Sequence, residues 1–207
     1  MNVLLTAGAT REPLDAVRFL SNVSTGSTGA ALADALSALG HTVTLLRGEG
    51  AAAPKNPCER ETFSSTVDLW SHLERRLSGG RYDAVVMAAA VSDYRPLTIL
   101  PGKIPSDAGQ ITLTLTRNPK ILPQLKQFSP RPLIVVGFKL TVGADAAARR
   151  TAVAAQFANG GVDCVVQNDL HEIRLATVHP FRLFRSADRE PEEIAGAAAL
   201  AGRLFTP

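Results

Sequence analysis

Four blocks along the 207-residue chain set polar or basic side chains beside glycine, alanine or a helix start, combinations suited to holding anions. The first, Gly8 to Gly29, carries Thr10, Asp15, Arg18, Asn22, Ser24, Thr25 and Gly26 just ahead of a small-residue run that reads as a helix. Backbone amides at such a helix start, cleared of side-chain bulk by glycine, can cradle a phosphate or carboxylate, and the hydroxyls and Arg18 add donors. The block has neither a GKS or GKT signature nor GxGxxG, and a polar loop with a helix cap accounts for it equally well.

The second block, AAAVSDYRP, puts Ala88, Ala89 and Ala90 where something must approach the backbone closely, with Asp93 and Arg95 at its mouth. Asp93 can bond a sugar or base; capping a helix or pairing with Arg95 suits it as well. Lys103 follows in GKIPSD, where a lone loop lysine is ordinarily just solvated. The third block, Arg117, Asn118, Pro119, Lys120, Ile121 and Leu122, opens a helix with free amides and cations. The fourth, VVGFKLT, ends a buried strand with Phe138 and Lys139, residue types that also serve as core and surface.

These blocks lie between alternating strands and helices. Asn2 to Thr6 reads as a buried first strand, Ala30 to Leu39 as a helix stopped by Gly40, and Thr42 to Leu46 as the next strand. Glu49 to Thr66 reads as a surface loop and Val67 to Leu77 as a helix ending at Gly79-Gly80. Tyr82 to Val91 reads as a strand buried on both faces, as a central parallel strand is, and Ser92 to Gly109 is a long excursion at its end. Gln110 to Thr116 alternates like a half-exposed strand, and Asn118 to Phe128 predicts a helix with Pro119 in its first turn. Leu133 to Leu140, a helix over Ala144 to Asn159, and Val162 to Gln167 continue the alternation. A hairpin of Arg174 to Val178 with Phe181 to Phe184 and a helix over Pro191 to Leu204 close the chain. The expected fold is α/β: a Rossmann-like, doubly wound, mostly parallel sheet with an additional antiparallel hairpin, in one domain over residues 1–207. Ligands of such sheets sit beyond the C-terminal strand ends, which points to the loops Gly8 to Gly29, Ala89 to Ser106 and Phe138 to Thr141.

Composition narrows the function classes. Apolar residues make up 45% and charged residues 20%, as in a folded globular chain. The longest apolar run, Ala84 to Val91, is far short of the roughly 20 residues of a membrane span. A net charge of +3, spread evenly, is no nucleic-acid footprint. The start of the chain has no secretion signal, so a cytoplasmic location is expected. Cys58 and Cys164 stand apart from metal-ligand spacings and are expected to be free thiols.

The segments TAGATREPLDAVRFLSNVSTGSTG, AAAVSDYRP, GKIPS, RNPKIL, VVGFKL and VVQND, in that order over about residues 1–170, resemble the phosphopantothenate-cysteine ligase family of coenzyme A biosynthesis. The resemblance is to a stand-alone form and implies no flavin. It implies a ligase that activates the carboxylate of 4'-phosphopantothenate as an acyl-nucleotidylate, using CTP or ATP with Mg2+, and passes the acyl group to L-cysteine. It also implies a homodimer, and it allows a separate decarboxylase as a partner. Carried over by position, Asn22 holds the pantothenate and the acyl intermediate, with Arg18 nearby and Ser24, Thr25 and Gly26 around the substrate. Gly8, Ala89, Asp93 and Lys103 border the nucleotide, with Lys103 at the triphosphate. Pro119, Lys120, Ile121 and Leu122 contact the nucleotide at a helix start, and Phe138 packs on its base beside Lys139. No metal ligand can be named.

The chain departs from the family pattern in several places. Pro105 and Ser106 follow the first lysine where many bacterial members continue KIKK, Ala9 replaces a glycine, and Ser27 replaces a lysine. The helix after Phe138 lacks the family's lysines, leaving Arg149 and Arg150 as its nearest cations. A non-catalytic nucleotide-binding paralogue is therefore a second expectation. A nicotinamide-dependent reductase is a third, disfavoured by the absent GxGxxG and Tyr-x-x-x-Lys pair.

Overall fold

Strands rich in Val, Leu and Ala and buried on both faces build a parallel sheet at the centre of the molecule. The computed structural model describes residues 1–107 and 109–206. Its first half comprises β1 (Asn2–Ala7), β2 (Arg11–Pro13), β3 (Phe19–Ser21), α1 (Ser27–Ala38), β4 (Thr42–Gly48), β5 (Glu59–Phe63), α2 (Thr66–Ser78) and β6 (Ala84–Met87). The second half comprises β7 (Tyr94–Pro96), β8 (Leu115–Arg117), a 3-10 turn (Leu122–Gln124), α3 (Leu125–Phe128), β9 (Ile134–Thr141), α4 (Ala146–Ala158), β10 (Cys164–Asp169), α5 (Leu170–Leu175), β11 (Pro180–Phe184), β12 (Glu192–Ala195) and α6 (Ala197–Leu204).

Eight strands form the main sheet in the order β12-β11-β10-β9-β6-β1-β4-β5. Pairing is parallel from β5 to β10 and antiparallel through β11 and β12. From β1 the chain moves to β4 and β5, then returns through α2 to β6 on the other side of β1. The strand order therefore reverses between β1 and β6, which opens a crevice at their C-terminal ends. The expected α/β fold is present.

The sheet is covered on both faces. Val3, Leu5, Val43, Val86 and Val136 face α1 and α6, whose Leu32, Leu36, Leu200 and Leu204 complete that core. Leu4, Leu46, Val85 and Val135 face the other way, onto Leu69, Leu73 and Leu77 of α2 and Leu125 of α3. Those three α2 leucines recur every four residues on one helix face, and the Ser65 hydroxyl caps the helix start by accepting the Asp68 amide.

Six expectations are corrected. The segment read as a loop, Glu49 to Thr66, contains the edge strand β5, whose inward signal is ionic: Glu59 and Glu61 pair with Arg75, Arg76 and Arg81, and only Phe63 is buried. The strand expected over Tyr82 to Val91 stops at Met87, and the long excursion after it contains the short strand β7. The alternating segment Gln110 to Thr116 finds a partner only from Leu115 onward, against β7. The helix expected over Asn118 to Phe128 shrinks to a 3-10 turn and one short helix, because Pro123 lacks the amide a continuous helix needs. Residues 170–175 form α5, capped by the Asp169 carboxylate, so β11 takes β12 as its hairpin partner in place of Arg174 to Val178. The last helix accordingly starts at Ala197, after Gly196 turns the chain at φ 83°.

Candidate functional site

The crevice floor is built from small residues. Past the ends of β1 and β6 the two segments stay joined: the Ala90 amide donates to the Gly8 carbonyl at 2.7 Å and the Thr10 amide to the Ala90 carbonyl at 3.2 Å. The Ala89 amide is held by the Thr6 hydroxyl at 3.1 Å. Gly8 has φ 85°, and a Cβ on it would come within 2.6 Å of the Ala51 methyl, so two requirements select glycine there. Ala88, Ala89 and Ala90 are half-buried, and no side chain larger than a methyl stands on this stretch of the floor.

The first block is an ordered structure. Its Arg11–Pro13 and Phe19–Ser21 segments pair as an antiparallel hairpin, and the chain then crosses the crevice. Asn22 is exposed, with Nδ2 donating to the Val91 carbonyl at 3.2 Å, so it lies over the second block. Gly26, at φ 74°, precedes α1 and has no side chain to cap it, while the Thr25 hydroxyl accepts the Ser27 amide at 3.3 Å and bonds the Ser27 hydroxyl at 2.9 Å. The start of this 12-residue helix lies close to Gly8, since a Cβ on Gly26 would come within 3.1 Å of the Gly8 amide nitrogen.

Arg18 lies where this hairpin meets the Lys103 loop. Its Nη1 donates to Asp15 Oδ2 at 2.8 Å and to the Ile104 carbonyl at 3.1 Å. The Asp15 carboxyl is held down at about 2, chiefly by the Ile104 amide; the Val17 and Arg18 amides and the Arg18 charge outweigh the opposing effect of burial. Lys103 itself is exposed.

Asp93 and Lys120 are brought together: their side chains pair at 2.5 Å, both mostly exposed, in a contact weak enough to open to a ligand. The weighed pairing of Asp93 with Arg95 is not formed. Arg95 instead donates to the Arg117 carbonyl and to Asn118 Oδ1, at 3.1 and 2.9 Å. Pro119 is exposed, whereas the Ile121 side chain belongs to the core and leaves only backbone for a ligand. Leu122 packs close to Gly137, beside which Gln156 of α4 also reaches; its Nε2 lies 3.5 Å from the Phe138 carbonyl. The Phe138 ring is half-buried, edge-on to Phe181 at 6.4 Å, and Phe181 in turn stacks on His179. Lys139, next along β9, is half-buried.

Sequence reasoning missed the residues that hold these loops. Glu12, at 1% exposure, accepts the Thr66 amide at 3.0 Å and the Thr66 hydroxyl at 2.6 Å. Asn118 donates to the Thr66 hydroxyl and to the Ser92 carbonyl, and the Ser92 amide donates to the Thr10 hydroxyl at 2.9 Å. One buried network thus joins the first block, the start of α2, the second block and the third. No spacing in the sequence announces it, since a buried Glu looks like a surface Glu. Gln156 was missed for a similar reason, being one polar residue on a helix turned toward β9.

The cations expected on α4 are engaged elsewhere. Arg149 pairs with Glu172 at 3.0 Å and Arg150 pairs with Glu190. Asp169 accepts from the Thr141 hydroxyl and from the Gly143, Ala144 and His171 amides, fixing the loop before α4. Among the described residues no three His, Cys, Asp or Glu side chains gather as a metal cage. Were a triphosphate to bring a magnesium ion, phosphate oxygens and water would supply most of its shell.

The DNA/pantothenate metabolism flavoprotein C-terminal domain family matches residues 1–182. The chain is 38% identical over 171 residues to the coenzyme A biosynthesis bifunctional protein CoaBC of Thermococcus kodakarensis, covering 81% of this chain and 41% of that protein. It thus spans about two fifths of that curated relative. Among solved structures, the DNA/pantothenate metabolism flavoprotein from Streptococcus pneumoniae superposes with a TM-score of 0.87 at 24% identity, over 99% of this chain and 96% of that one. A Cab2 variant in complex with phosphopantothenate-cysteine superposes with a TM-score of 0.82 at 18% identity, over 98% and 84%. At these identities the two superpositions establish the fold.

Proposed function

The chain belongs to the DNA/pantothenate metabolism flavoprotein C-terminal domain family, and from that premise we propose that it is a ligase joining 4'-phosphopantothenate to L-cysteine, driven by CTP or ATP. The observation that carries this reading is the convergence of Asn22, the Ala88 to Ala90 floor and the start of α1 at the point where the strand order reverses. The likeness to CoaBC and to the Cab2 variant bound to phosphopantothenate-cysteine supports the choice of substrates.

In this reading the substrate carboxylate attacks the α-phosphorus and pyrophosphate leaves. The cysteine amine then attacks the acyl carbon, losing a proton as the nucleoside monophosphate departs. Both steps concentrate negative charge, so fixed donors supply the catalysis. Lys103 meets the triphosphate, and the α1 amides, with Ser24, Thr25 and Gly26, receive anionic oxygens. Asn22 donates to the acyl group and Arg18 supports it. Gly8, Ala89 and Asp93 border the nucleotide, Pro119 to Leu122 contact it with Lys120 released from Asp93, and Phe138 and Lys139 flank the base.

The unit acts as one domain in the cytoplasm and as a homodimer. Among the described residues no helix is long and apolar enough to cross a membrane. Leu97, Ile99, Ile111, Leu113 and Leu115 all leave apolar surface exposed along the β7–β8 arm, and a second copy of the chain would bury it. Light scattering at micromolar concentration should give twice the chain mass, and a monomer mass would remove the dimer.

A second reading, a nucleotide-binding paralogue without turnover, is favoured by the ion pairs that occupy Arg149 and Arg150. One assay separates the two. Protein, phosphopantothenate, cysteine, magnesium and either CTP or ATP should release pyrophosphate only when all are present. Nucleotide binding without pyrophosphate would favour the paralogue.

A further inference from the structure

Lys103 lies within the longest irregular excursion of the chain, yet the peptides on both sides of it are fixed. On one side, the Gly102 carbonyl accepts the Ala16 amide at 2.9 Å. On the other, the Ile104 amide donates to Asp15 Oδ2 at 2.9 Å and the Ile104 carbonyl accepts from Arg18 at 3.1 Å. Upstream, the Leu100 amide reaches the Leu14 carbonyl at 3.0 Å. All these partners belong to the turn of residues 14–18, which leads into the strand before Asn22.

Asp15 is the centre of this seam. Its side chain has no exposed surface, so it does not meet a substrate in solution. Oδ1 accepts the Val17 and Arg18 amides at 2.8 and 2.7 Å, which shapes the turn; Oδ2 takes the Ile104 amide and the Arg18 guanidinium. Four donors on one carboxylate are more than a loop needs to close its own turn, and two of the bonds reach across to residue 104 or to the side chain that holds its carbonyl.

We propose that Asp15 is the positioning residue for Lys103: by fixing the Ile104 peptide it sets where the Lys103 ammonium stands relative to Asn22. This deepens the ligase reading and rests on it, since it assumes that Lys103 serves the step that releases pyrophosphate. A charge held in place before the reaction stabilises developing phosphoryl charge better than one that must first be ordered.

The test combines kinetics with hydrogen exchange on the full chain. Asp15→Asn places an NH2 group among four donors and should lower the kcat for pyrophosphate release by about tenfold to a hundredfold, with the KM for phosphopantothenate within about twofold. Because Asp15 acts through Lys103, the double variant Asp15→Asn with Lys103→Gln should be no slower than Lys103→Gln alone. A multiplied loss in the double variant, or an unchanged Asp15→Asn enzyme, would overturn the proposal. Should Asp15→Asn fail to fold, the native protein still decides: the Ile104 amide should exchange slowly, and exchange at the rate of an open loop would overturn the proposal equally. A native protein that releases no pyrophosphate would instead sink the ligase reading, whatever the Ile104 amide does.

Discussion

The Thr66 hydroxyl donates to the Glu12 carboxylate at 2.6 Å where both residues are closed to solvent, and this bond ties the first crevice loop to the start of α2. The same hydroxyl accepts from Asn118 at 3.2 Å, and so it also links the third loop. Thr66→Val would keep the shape but strip a donor from a buried carboxylate and an acceptor from Asn118. Buried hydrogen bonds to charged groups are worth about 1.5–3 kcal/mol. Urea denaturation should show a loss of about 2–3 kcal/mol for Thr66→Val and under about 1 kcal/mol for Thr66→Ser, which keeps the hydroxyl. Equal losses in the two variants would mean that packing, and not the hydroxyl, matters at this position.

Three carboxylates make the fold acid-sensitive. Asp15 is held at about 2, chiefly by the Ile104 amide. Glu61 is also at about 2: burial pushes it up, but hydrogen bonds from Arg76, Arg75 and His72 outweigh that. Burial likewise pushes Asp169 up, and the Thr141 hydroxyl with the Ala144, Gly143 and His171 amides holds it well below the usual carboxylate range. Unfolded, all three titrate near 4, so between about pH 4 and pH 2 the unfolded chain binds more protons. Their stabilisation is complete above about pH 5 and is lost as the pH falls toward 2. Asp169→Asn should be less stable at pH 7 and should lose stability less steeply below pH 4. Denaturation curves at pH 7, 4 and 3 check this, and a slope as steep as the native one would count against it.

Gly29 marks the closest approach of α1 to β1. A Cβ there would lie 2.4 Å from the Ala7 Cβ and 3.2 Å from the Ala7 Cα, so helix and strand would have to separate. Gly29→Ala should cost about 1–3 kcal/mol, the usual range for overpacking, despite the better helix propensity of alanine. A stability equal to or above the native value would show that α1 can shift freely.

The central strands were legible in the sequence because burial on both faces leaves apolar runs such as Val3 to Leu5 and Val135 to Val136. Strands β5 and β12 were not, because ERETF and EEIA are satisfied by Arg75, Arg76, Arg182 and Arg203 and so carry no apolar signal. Alternation misled in the opposite sense at Ile111 and Leu113, which continue the pattern of β8 but belong to no strand among the described residues. Of the site, the glycine and alanine positions could be read because they answer to backbone geometry. The contacts of Glu12, Asp15 and Gln156 depend on which loops meet in space, and one-dimensional spacing does not encode that.

If the proposed ligase reaction holds, Asn22 and Lys103 should act in different chemical steps. In the proposed ligase reaction Lys103 would serve the first step as a point charge among phosphates, so Lys103→Gln should suppress pyrophosphate release itself. Asn22, anchored to the Val91 carbonyl at 3.2 Å, stands beside the small-residue floor where an acyl group can accept its amide proton. Removing one such donor costs about 3 kcal/mol in the transition state. Asn22→Asp keeps the size, loses the donor and sets a negative charge next to the acyl phosphate. That variant should still release some pyrophosphate while failing to form the cysteine amide, so an acyl-nucleotidylate should accumulate and be seen by mass spectrometry. Full amide formation by Asn22→Asp, or the same loss of both steps in the two variants, would show that these roles are wrongly divided.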